Sequence, residues 1–97
     1  MTAENLKQLI QQGENEILEL KPSLSDTARI VEVVASLANT RGGMVVIGVS
    51  DRGLIHGITI GKQTIERLTN TITDNTDPVI YPNISVHNLG RVERSLC

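Results

Sequence analysis

The apolar positions of this chain change their spacing several times, and each change marks an element. Leu6, Leu9 and Ile10 recur at helical spacing, and Gly13 follows where a left-handed glycine closes a helix. A short first helix is predicted over 3–12. Residues 17–21 then alternate, with Leu18 and Leu20 on one face, Glu19 and Lys21 on the other, and Pro22 ending a half-buried strand. Ser23 and Ser25 offer capping hydroxyls and Asp26 suits the positive end of a helix. Ile30, Val31, Val33, Val34, Leu37 and Ala38 then cover more than half of a helical surface, so the second helix is expected to be well buried.

Asn39-Thr40-Arg41-Gly42-Gly43 can close that helix and reverse the chain, because its glycines accept positive φ. The β-branched run 44–49, bounded by glycines, reads as a central strand covered on both faces. Ser50-Asp51-Arg52-Gly53 is a turn, and 54–58 returns as the second arm of a hairpin. Ile65, Leu68 and Ile72 give a third helix that ends before Asp77-Pro78. Ile84, Val86 and Leu89 form a last strand with no partner in sight, which predicts that the domain is cut short at its C-terminal side. The architecture expected is α+β: a small mixed sheet with a β-hairpin, flanked by about three helices. One domain over 1–90 and a tail over 91–97 are expected.

Composition narrows the function. Hydrophobic residues make up 39% of the chain and charged residues 21%, ordinary globular usage that excludes a disordered chain. There is no Phe and no Trp, and Tyr81 stands alone, so the core is aliphatic and the rings on which unpaired bases stack are lacking. Net charge is −2 and the pI about 5.6, whereas a domain that grips phosphates by itself is usually basic. The one cysteine, Cys97, excludes an internal disulfide; with no leader-like or membrane-spanning apolar stretch, a cytoplasmic protein without membrane contact is expected.

Three pieces carry a resemblance: Gly13-Glu14-Asn15-Glu16-Ile17-Leu18-Glu19-Leu20-Lys21, then Leu37-Ala38-Asn39-Thr40-Arg41-Gly42-Gly43, then Val46-Ile47-Gly48-Val49-Ser50-Asp51-Arg52-Gly53. In this order they resemble the Schlafen AlbA domain, also described as a divergent AAA or DNA-binding domain of bacterial and archaeal regulators. The resemblance spans roughly residues 9–84. It implies, from the prokaryotic relatives, DNA binding within a larger protein. From the eukaryotic relatives it implies a metal-dependent endoribonuclease whose three acidic positions match Glu14, Glu19 and Asp51. The family's C-terminal hairpin arm is absent here or replaced by Arg91-Val92-Glu93-Arg94.

The leading expectation is a DNA- or RNA-binding domain of a transcriptional-regulator-like protein, with Lys21, Arg41 and Arg52 on phosphates and no cofactor required. The rival is an endoribonuclease-like domain in which Glu14, Glu19 and Asp51 hold Mg²⁺ or Mn²⁺ as ligands and catalytic acids. The plain reading of the same acids leaves Glu14 solvated after a helix, pairs Glu19 with Lys21 or Arg41, and gives Asp51 the side-chain bond of its turn. A third expectation is a homo-oligomerisation module whose open edge near 84–89 docks a second copy. Gly42 and Gly43 follow a helix and precede a strand, the reverse of a phosphate-binding loop, which argues against ATP. His56 and His87 lack partners at zinc spacing and read as surface residues.

Overall fold

In the computed structural model, which describes residues 2–89, the chain runs α1 (Ala3–Gln12), β1 (Leu18–Lys21), α2 (Thr27–Ala38), β2 (Met44–Ile47) and α3 (Thr64–Asp74). The first two helices start where the sequence supplies a partner for the unpaired amides of a first turn. Thr2 Oγ1 accepts from the Asn5 amide at 3.1 Å, and Asp26 Oδ1 from the Arg29 amide at 3.2 Å. Asp26 is thus the cap of α2, while Ser23 and Ser25 bond to each other. At the far end of α1, Gly13 adopts φ +83° with ψ −177°, a positive-φ conformation open to glycine though not the left-handed helical one expected, and donates to the Ile10 carbonyl.

β1 and β2 pair in parallel, Leu18 opposite Met44 and Lys21 opposite Ile47, with α2 as the crossover between them. The fold is α+β. Alternation along β1 buries Leu18 and Leu20 and sends Glu19 and Lys21 the other way. Leu18 and Leu20 meet Leu6 and Ile10 of α1, together with Val49 and Leu89, in the main aliphatic cluster; Met44 and Val46 of β2 pack against it. Fully burying a leucine such as Leu20 stabilises by about 1.5–3 kcal/mol. Ile30 and Val33 of α2 and Ile72 of α3 are buried outside that cluster.

Three expectations change in detail. β2 stops at Ile47 because Gly48 takes φ +99°, and all four of its residues are only half-buried rather than covered on both faces. The hairpin shrinks to a single antiparallel bridge, Val49 to Ile55, since the Gly57 amide follows His56 onto the Gly48 carbonyl and a further ladder step cannot form. Residues 84–89 form no strand: Val86 stays 60% exposed and only Leu89 reaches the core. Among the described residues the sheet is therefore two-stranded and parallel, not mixed. No helix among them is long and apolar enough to cross a membrane. The expected boundary at 90, the tail 91–97 and Cys97 lie outside the described residues.

Candidate nucleic-acid interface

A tight reversal explains how two distant-looking acids meet. The Asn15 amide donates to the Leu18 carbonyl and the Leu18 amide to the Asn15 carbonyl, while Asn15 Oδ1 accepts from the Ile17 amide at 2.8 Å. Ile17 is the tip of this reversal, 54% exposed. The chain before it runs back along β1, and Glu14 Oε2 accepts from the Leu20 amide at 3.0 Å. Glu14 is not merely solvated; it satisfies a β1 amide that β2 leaves unpaired.

A second device brings Asp51 to the same place. The Gly48 and Val49 amides both donate to the Lys21 carbonyl, at 2.7 and 3.1 Å, so the chain leaving β2 crosses the end of β1. The turn that follows is organised by Ser50, whose Oγ accepts from the amides of Arg52 (3.3 Å) and Leu54 (3.1 Å). The side-chain bond expected of Asp51 is made by Ser50 instead. Glu14, Glu19, Leu20, Lys21, Pro22, Ser50 and Asp51 consequently line one cleft of about 340 Å³.

Within this cleft Lys21 Nζ lies 2.9 Å from Glu19 Oε2, the pairing anticipated from their i, i+2 positions on one strand face. That bond holds the Glu19 carboxyl below the ordinary carboxylate range; burial opposes the shift, and Glu14 and the Arg29 charge add to it. Three carboxylates against one ammonium leave the cleft net negative. They do not make a ready ion site as they stand: among the described residues no three His, Cys, Asp or Glu side chains are gathered to share a metal. Glu14 and Glu19 are already engaged by an amide and an ammonium, contacts that an arriving cation would have to displace.

Of the cations expected on phosphate, Lys21 lines the cleft and Arg52 is exposed on the turn beside Asp51. Arg41 is exposed in the turn that enters β2, at the end of the strand pair away from Lys21 and Ser50, and lines neither this cleft nor its neighbour. His56 is exposed, and His87 Nε2 lies 3.1 Å from Ser85 Oγ. Sequence reasoning passed over Ser50 and the Asn15 reversal; an Asn two residues before the strand and a Ser opening a Ser-x-x-Gly turn were the available signals.

Fold and cleft together define a small α+β domain with an acid-lined site at the C-terminal end of a parallel strand pair. The family model described as Schlafen, AlbA_2 matches residues 14–95, so the chain belongs to that family and is a nucleic-acid-related domain. Neither the curated proteins nor the solved structures gave a match.

Proposed function

We propose that the chain is a DNA-binding domain acting in the cytoplasm within a larger, transcriptional-regulator-like prokaryotic protein, with Lys21 and Arg52 as phosphate contacts. The observation that carries the reading is the crossing of the 48–53 segment over the end of β1, which sets the turn bearing Arg52 against the cleft that holds Lys21. Phosphate contacts of this kind position a duplex without reading its bases. Fluorescence anisotropy of the full-length protein with duplex DNA at low salt tests this; binding that weakens steeply with salt is expected, and no binding at tens of millimolar salt refutes it.

A second reading, metal-dependent cleavage of structured RNA, is favoured by one observation: Glu14, Glu19 and Asp51 line a common cleft. Were Mg²⁺ or Mn²⁺ held there, those carboxylates would supply its oxygen ligands, and its charge would serve to offset that of phosphate.

A further inference from the structure

Glu19 belongs to two clefts. On its other side a second one, of about 230 Å³, is lined by Asn15, Glu16, Leu18, Arg29, Glu32 and Ser36 among others. The two adjoin along Glu19 and the 14–16 segment, since Glu14 lines the first and Asn15 and Glu16 the second. Lys21 lines the first and Arg29 the second. Five carboxylates, Glu14, Glu16, Glu19, Glu32 and Asp51, line the two clefts against Lys21 and Arg29, so a phosphodiester chain is accepted only beside those two cations.

We infer that Arg29 is a phosphate contact of the second cleft, so that one nucleic-acid backbone meets Lys21 in the first cleft and Arg29 in the second. The assignment rests on the nucleic-acid-binding reading above and adds to it a path and a residue. Arg29 stands in the first turn of α2, where the helix dipole favours an anion and the Asp26 cap engages only its backbone amide. Its side chain is 56% exposed and its ion pair with Glu32 Oε1, at 3.5 Å, is long and exposed. Such a pair holds its partners weakly. The guanidinium is therefore available to a phosphate, which its planar fork suits, whereas Lys21 is held by Glu19 at 2.9 Å with both side chains mostly covered.

The test compares full-length wild type, Arg29→Ala and Arg67→Ala by anisotropy across a salt series, with duplex DNA and single-stranded RNA in separate arms. Arg67, exposed on α3 and bonded to Gln63, lines neither cleft and controls for the loss of any one positive charge. Arg29→Ala is expected to lower the slope of log K against log salt by about 0.9 on the duplex or about 0.7 on the single strand, roughly a tenfold loss near 0.05 M salt. Arg67→Ala is expected to leave the slope unchanged. Whichever arm shows the Arg29 loss identifies the strand form bound. Wild-type binding with an unaltered slope in Arg29→Ala, or equal losses in the two variants, overturns the assignment while leaving the binding reading intact. No binding by wild type sinks both. Circular dichroism confirms folding, which the Asp26 cap preserves because it uses the backbone of residue 29.

Discussion

Replacing Gly48 by alanine tests how the candidate site is held together. Gly48 has φ +99°, and a Cβ there would stand 3.2 Å from both the Cα and the carbonyl carbon of Gly57. Those are backbone atoms of the segment whose His56 and Gly57 amides both donate to the Gly48 carbonyl, at 2.8 and 2.9 Å, so the methyl cannot be avoided by a rotamer change. Forcing a non-glycine residue into such a conformation costs about 1–3 kcal/mol, and displacing the backbone at Gly57 adds to that. The stiffer unfolded chain returns about 0.4–1 kcal/mol. A net loss of about 2–3 kcal/mol is expected, a large part of the roughly 5–15 kcal/mol that holds a domain together. At about 4–8 °C per kcal/mol, the melting temperature should fall by roughly 10–20 °C. Gly13→Ala is the comparison: φ is +83° and ψ −177°, but nothing lies within 4 Å of its added Cβ, so only conformational strain of about 1–3 kcal/mol acts, less the same gain from the unfolded chain, and a smaller loss than at Gly48 is expected. Urea unfolding followed by far-ultraviolet circular dichroism measures both. Equal losses in the two variants would refute the claim that the close approach of Gly48 to Gly57 matters to the site.

Two further outcomes follow from the cleft. The Glu19 carboxyl is held below its usual 4.5 by Lys21, so the pair stabilises the fold above that pH and the contribution disappears as pH falls through the lowered value; Lys21→Met should cost about 0.2–1 kcal/mol at pH 7 and nothing near pH 2, and an equal cost at both pH values in denaturant titrations would reject the ion pair as its source. If the domain cleaves structured RNA, incubation of the full-length protein with transfer RNA and Mn²⁺ should give products that Glu19→Gln abolishes, and unchanged cleavage in that variant rules the three-acid site out.

Local period and capping chemistry were enough to find the helices: Leu6, Leu9, Ile10 and Gly13 delimit α1 at its observed bounds, and Asp26 marks the start of α2. They were not enough for the sheet. Alternation at Ile84 and Val86 says which side chains are apolar, but a ladder needs a second backbone at the right distance, and Val86 finds none. Ile17 counts as strand by period and sits instead at the tip of a reversal, because Asn15 supplies the side-chain acceptor that a turn needs. Glu14, Glu19 and Asp51 were grouped by the family resemblance alone, with Lys21 a separate expectation; the causes that bring all four to one cleft, a β1 amide left for Glu14 and a Lys21 carbonyl shared by two amides, are tertiary and leave no periodic trace.

Leu89 joins residues of α1 and β1 in the main cluster, although some seventy positions of chain, on the order of a 70-residue loop, separate it from Leu18. Such long-range closure is slow in general. On the ribosome, at about 5–20 residues per second, Leu18 is made roughly 4–14 s before Leu89. During that interval the nascent chain presents an unsealed oily surface to whatever surrounds it, and the host cell would have to shield it or tolerate its stickiness until translation delivers the plug.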